Sequence, residues 1–221
     1  MMNDLEATFG MANEERRTVV ARADSMNLPC PDGSIDAVVT SPPYLTRLDY
    51  AVATAPELAV FGIDWRGREG IRGCLMGTTT TARAREANPD DFPAGARRLF
   101  RRIATHPTKD SSGYYLKQFS QYFSDTTSLV AEIVRVLRPG GSAILVVQDS
   151  WYKSLKVNLG ELFLEFFAAA GAVGEIVRSE PVRRHLTQLN RAAANYPKGT
   201  PEEHVLVIRK QGPRRARRRH Q

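Results

Sequence analysis

Pro42-Pro43 limits what this chain can fold into more than any other pair of residues in it. Neither ring donates a backbone N–H, so a strand ladder cannot run through them. The six residues before them, Ile35-Asp36-Ala37-Val38-Val39-Thr40, are mostly apolar and rich in valine. Strands buried on both faces of a parallel sheet read this way. The prolines therefore stiffen a short segment just past the carboxyl end of a buried strand, where open α/β sheets place their ligands. Thr40-Ser41-Pro42-Pro43-Tyr44 offers a hydroxyl, prolyl carbonyls aimed by fixed φ angles, and an aromatic ring. That set suits a flat nitrogenous ring carrying an exocyclic amine: oxygens accept from the NH₂ group and Tyr44 stacks on the ring face.

The rest of the chain alternates between strand and helix patterns. Thr18–Ala23 is a second valine-bearing run and predicts another buried strand, ending at Asp24-Ser25. Tyr50–Phe61 has a helical stripe, with Pro56 marking a break or a fresh start. Residues 62–113 differ: seven glycines and recurrent arginines punctuate them, and they read as an insertion beside the site with a short helix at Arg97–Ile103. Tyr115–Leu137 is strongly periodic, and Arg138-Pro139-Gly140-Gly141 stops it. Ser142–Gln148 predicts a strand, Leu159–Ala170 a helix, and Glu175–Arg178 and His204–Arg209 two last strands that pair antiparallel at the sheet edge. The alternation gives an α/β architecture, with residues 1–210 as one domain and 211–221 as a basic disordered tail.

At 221 residues the chain can bury a sizeable core. No apolar run approaches membrane-helix length, and the start of the sequence has no secretory pattern, so a cytoplasmic location is expected. Cys30 and Cys74 stand apart from each other, and the four histidines are scattered, so neither a disulfide framework nor a metal site is indicated. The net charge of +7, with much of the excess in the arginine-rich tail, supports nucleic acid as a partner. A solubilising tail would carry the same charge.

Ser41-Pro42-Pro43-Tyr44 at a strand end resembles motif IV of the S-adenosylmethionine-dependent amino-methyltransferases, which methylate exocyclic nitrogens of adenine or cytosine. The Thr-Ser-Pro-Pro-Tyr form is most similar to the DNA cytosine-N4 branch. Val19–Tyr44 as a whole resembles that family's segment from motif III to motif IV. Leu137–Gly141 and Glu203–Val207 resemble the latter half of Rossmann-like methyltransferases. The resemblance implies a Rossmann-like class I methyltransferase sheet, S-adenosyl-L-methionine as cofactor, DNA as partner and a restriction–modification setting. It implies that Ser41 and the Pro42 carbonyl accept the amine hydrogens, that Pro43 fixes the geometry and that Tyr44 stacks on an extruded base. Asp24 would contact the cofactor's adenine amine, with Ser25 and Thr40 beside it, although Asp24 also suits a turn cap before Met26-Asn27. Arg47, Tyr50, Arg66, Arg68 and Arg72 would line the nucleic-acid side, where a solvated face or an Arg47–Asp49 contact is the plainer reading.

One departure from the family is large. The Phe-x-Gly-x-Gly-like turn of motif I, which wraps the methionine end of the cofactor, is nowhere in the sequence. The expectation is a sheet truncated in its N-terminal, cofactor-loop half. Three explanations follow: a second chain (or a homodimer) that completes the enzyme, an unusual cofactor site, or a non-catalytic DNA-binding relative. Adenine-N6 methylation of DNA and guanine-N2 methylation of RNA remain alternative activities.

Overall fold

The computed structural model describes residues 18–21, 23–45, 49–64, 70–77, 88–107, 111–182 and 199–212. In chain order the elements are β1 (Ile35–Thr40), α1 (Tyr50–Ala53), α2 (Ala55–Val60), α3 (Ile71–Cys74), α4 (Ala94–Ala104), α5 (Leu116–Val136), β2 (Leu137–Gln148), β3 (Ser150–Tyr152), β4 (Leu155–Val157), α6 (Leu159–Ala169), β5 (Ala172–Pro181) and β6 (Glu202–Lys210). The main sheet has the order β1-β2-β6-β5, and β3-β4 form a separate antiparallel hairpin. β1 and β2 run parallel, while β6 runs against both β2 and β5. The expected pairing of the last two strands is thus present, with β6 inserted inside the sheet. A parallel pair followed by an inserted antiparallel strand gives the α/β, Rossmann-like class I arrangement.

The apolar residues of α5 recur at helical spacing: Phe119, Tyr122, Phe123, Leu129, Val130, Ile133 and Val136 are all buried. The helix passes into β2 without a loop, so the strand begins earlier than the expected Ser142. Gly140 takes φ +77° in this passage, and a Cβ on Gly141 would meet the Arg138 and Asp36 carbonyl oxygens at 2.9 and 3.0 Å. That close approach is why glycine is needed where β1 and β2 first meet.

Residues level with one another across a sheet share a face. Val38 lies level with Ala143, and Leu145 with Leu206. These side chains join Val147 and Ile208 in the core under α4, α5 and α6, where Phe92, Phe123 and Phe166 interlock. Ala96, Leu99 and Ile103 of α4 belong to that same core, so the 62–113 stretch is not wholly peripheral. The other face carries Val39 level with Ile144, and Ile144 level with Val207. It is open among the described residues, with Val39 75% and Ile144 36% exposed. β1 also has β2 as its one strand neighbour among those residues.

Thr18–Ala23 departs from expectation. Residues 18–21 and 23 lie outside any strand, and Val20 is 94% exposed. Valine favours a strand only when a neighbour takes its backbone groups and covers its side chain, and no described strand lies beside this run. The loop that follows is tied down elsewhere. The buried Glu132 carboxylate accepts from Leu28 N–H at 2.6 Å and from the Arg135 guanidinium at 2.7 and 2.8 Å. No helix among the described residues is long and apolar enough to cross a membrane.

The Arg135 hydrogen bonds hold the Glu132 carboxyl below the usual carboxylate range, with burial opposing and the Leu28 N–H assisting. A lowered folded-state pKa contributes stability that is complete above the unfolded value of about 4.3 and is lost as pH falls through the folded value. Urea midpoints should therefore drop from about pH 5 downward, and Glu132→Gln should drop less steeply over the same range. Parallel pH curves for the two proteins would remove Glu132 from the account.

Candidate active site

Ser41–Tyr44 leaves the carboxyl end of β1 as the sequence predicts, and buried groups hold it from beneath. The Tyr122 hydroxyl donates to the Pro43 carbonyl at 2.7 Å, and Ser150 Oγ donates to the Leu45 carbonyl at 2.6 Å. Tyr44 N–H donates to the Tyr50 hydroxyl at 3.1 Å. Pro42 and Leu45 are buried, whereas Ser41 stays exposed and Tyr44 half-buried. Gly77, at φ +73°, fits against this loop; a Cβ there would lie 3.6 Å from both the Pro43 ring and the Tyr44 carbonyl. Tyr122 and Ser150, distant in sequence, and the nearby Tyr50 thus fix a loop whose own residues are already stiff. None of the bonds just named uses the Pro42 carbonyl.

The polar rim is held more loosely. Ser41 Oγ donates to the Val146 carbonyl at 3.0 Å. The Tyr44 hydroxyl lies 3.3 Å from Ser41 Oγ and donates to Glu203 Oε2 at 3.4 Å. Once Ser41 has given its proton to Val146, the single Tyr44 proton serves both remaining contacts. Both are long for O–H···O bonds, whose usual length is about 2.7–2.8 Å. Burial raises the Tyr44 pKa; the Ser41 hydrogen bond opposes this and the Glu203 charge adds to it. Burial also pushes Tyr122 well up. Both phenols are therefore neutral donors at ordinary pH.

The other expected site residues divide clearly. Tyr50 joins the loop through its hydroxyl, and Thr40 ends β1 level with Leu145. Arg72 forks onto Asp49, with Nε 2.7 Å and a terminal nitrogen 2.6 Å from Oδ2. Asp49 also caps α1 by accepting from Val52 N–H. Asp24 is exposed and accepts from Met26 N–H at 2.9 Å, the arrangement of a turn cap. Among the described residues no hydrogen bond joins Asp24 or Ser25 to the Ser41–Tyr44 loop. Arg47, Arg66 and Arg68 lie outside the described residues.

Sequence reasoning missed Glu203, which faces Tyr44 from β6, and a knot around Asp149. Asp149 is buried at the end of β2. It accepts from Leu159 N–H at 2.9 Å, pairs with Lys156 at 2.9 Å and lies 3.3 Å from His204 Nε2. His204 Nδ1 in turn meets Ser179 Oγ at 2.7 Å. Oxygen and nitrogen atoms of Asp149, Glu202 and His204 lie within 4.8 Å of one another, a spacing a metal ion would accept. The Lys156 ammonium already bridges the two carboxylates, reaching Glu202 at 3.4 Å, and so supplies the positive charge that the cluster needs. No local pattern announces this knot, because its members come from three strands and a helix start.

No family model matches the chain. The chain is 24% identical over 142 residues to the type II methyltransferase M.BsoBI of Geobacillus stearothermophilus. That stretch is 55% of this chain and 28% of the relative, so the chain spans well under half of the curated protein it matches. Among solved structures, TTHA0409 of Thermus thermophilus, a proposed DNA modification methylase, aligns over 89% of this chain and 56% of its own, at 15% identity and a TM-score of 0.42. The same protein complexed with S-adenosyl-L-methionine gives 17% identity, 89% and 57% coverage, and a TM-score of 0.41. At such scores the fold assignment rests on the strand order itself.

Proposed function

We propose that this chain supplies the base-binding half of an S-adenosylmethionine-dependent DNA amino-methyltransferase, with cytosine N4 as the acceptor. The observation that carries the reading is the pinned Ser41–Tyr44 loop at the carboxyl end of β1, in a chain similar over 142 residues to a type II methyltransferase. In this reading the Ser41 hydroxyl and the Pro42 carbonyl accept hydrogens of the target amine. Tyr44 stacks on a base drawn out of the duplex, and Pro43 holds the loop to one geometry. Positioning does most of the work, because an aromatic amine reacts only when its lone pair is turned out of conjugation. Tyr50 backs the loop, and Arg47, Arg66 and Arg68 are proposed phosphate contacts.

The sequence lacks the glycine turn that wraps the methionine end of the donor, so the donor's cradle is proposed to be completed by a second polypeptide or a second copy. The sheet face around Val39 and Ile144 and the edge of β1, both uncovered among the described residues, support this, since exposed edges and apolar faces ordinarily find a partner. The test is methylation of DNA with labelled S-adenosylmethionine, followed by digestion and chromatography of the nucleosides. N4-methyldeoxycytidine is the expected product, and N6-methyldeoxyadenosine would move the assignment to adenine. Calorimetry with S-adenosylmethionine on the purified chain separates the partner question: micromolar binding would sink the shared-cradle reading. Absence of any methylated nucleoside from the chain and from its co-purified assembly would sink the function itself.

A further inference from the structure

We propose that Glu203, with Gln148 beside it, reads the amine-bearing edge of the base that meets the Ser41–Tyr44 loop. The proposal rests on the reading of Ser41–Tyr44 as a base site and names the side chains that choose among bases there. Gln148 ends β2 and lies level with Glu203 of β6 in the antiparallel ladder, so both side chains leave the same face of the sheet. They belong to the face opposite the helices, and both are half-buried. Glu203 Oε2 lies 3.4 Å from the Tyr44 hydroxyl, which itself lies 3.3 Å from Ser41 Oγ. The carboxylate is thus the third wall of the site formed by the serine and the tyrosine.

An ionised carboxylate accepts hydrogen bonds and donates none. Its partial satisfaction by one long bond from Tyr44 leaves lone pairs for a ligand donor, so it can share with Ser41 the amine hydrogen on that side while the Pro42 carbonyl takes the other. Among bases, cytosine and adenine present an NH₂ group on the Watson–Crick edge, and uracil and thymine present a carbonyl in its place. A carboxylate attracts the first pair and repels the second. Gln148 adds a carboxamide, whose NH₂ suits the neighbouring unprotonated ring nitrogen of cytosine or adenine; uracil carries an N–H there. Two adjacent side chains therefore match the acceptor-and-donor order of an amine-bearing base. The same role accounts for a carboxylate beside a proposed nucleic-acid site: Glu203 weakens phosphate attraction but strengthens the choice of base.

The test is binding of fluorescein-labelled single-stranded dC12 and dU12 to the full chain at one fixed salt concentration. These oligonucleotides share backbone and ring size and differ along the edge that Glu203 is proposed to read. The wild type should prefer dC12 by about 10-fold, within the range of one good base-edge contact. Glu203→Gln is nearly isosteric and places a donor on the same stem, so its preference should fall to about two-fold or less, chiefly through weaker dC12 binding. Circular dichroism of the variant checks that the fold is intact. If the wild type discriminates and Glu203→Gln discriminates equally, the base site stands and the role of Glu203 falls. If the wild type does not discriminate, the base site and the proposal fall together.

Discussion

On the proposed base-binding role, Tyr44→Ala should lower methyl transfer by the assembled enzyme about 10²-fold while leaving the fold and the phosphate-driven affinity for DNA nearly intact. Loss of one base-stacking aromatic costs about 1–3 kcal/mol, and the extruded base also loses its alignment with Ser41 and Glu203. The fold is spared because the loop is held by groups that the substitution leaves in place. Pro43 still receives the Tyr122 hydroxyl, Leu45 still receives Ser150, and the backbone N–H at position 44 still meets Tyr50. The tyrosine's own side-chain bonds, at 3.3 and 3.4 Å, contribute little to stability. Tyr44→Phe keeps the ring and loses those two contacts, so its loss should stay within about ten-fold. Single-turnover methylation, with DNA affinity followed over a salt series, separates the effects. An alanine variant that methylates at the wild-type rate, or one that loses all DNA affinity, would overturn the stacking role.

The parts of the fold that were legible in the sequence are those in which local pattern and tertiary demand agree. β1 reads as a strand ended by two prolines, and α5 reads from the spacing of Phe119, Tyr122, Phe123 and Leu129. The burial on both faces expected of β1 is not found among the described residues, since it pairs on one side with β2 and leaves Val39 75% exposed. Thr18–Ala23 misleads because its valines state a preference that only a neighbouring strand could satisfy. The β3-β4 hairpin was hidden for a different reason. Its strands are three residues each, and Lys153 occupies the positive φ that usually calls for glycine or asparagine. The loop at Ser41–Tyr44 was visible, but its supports were not: Tyr122 and Ser150 are 79 and 105 residues from the carbonyls they reach. Glu203 stood just ahead of the expected strand His204–Arg209, in a segment whose resemblance names no role for it, and its facing Tyr44 depended on a register that no local rule fixes.

Asp149→Ala should destabilise the chain by about 2–4 kcal/mol, closer to a core truncation than to the loss of a surface ion pair. The carboxylate is 1% exposed and performs three tasks at once. It accepts from Leu159 N–H, satisfying a free donor in the first turn of α6. It pairs with Lys156, whose pKa is raised chiefly by that hydrogen bond with burial opposing, and it lies against His204. Lys156 is partly exposed and keeps Glu202, so its charge reaches water after the substitution. That limits the cost below the value for a fully stranded buried ion. Asp149→Asn retains an acceptor for Leu159 N–H but loses the charge facing Lys156 and His204. It should fall between the wild type and alanine, and urea unfolding resolves the three if the transitions are two-state with equal slopes. Because Glu203 follows Glu202 and precedes His204 in β6, the alanine variant should also loosen the Glu203–Tyr44 contact and weaken dC12 more than dU12. Equal stability of all three proteins would mean that the knot is solvated in solution, and that the carboxyl end of β2 is held by the sheet alone.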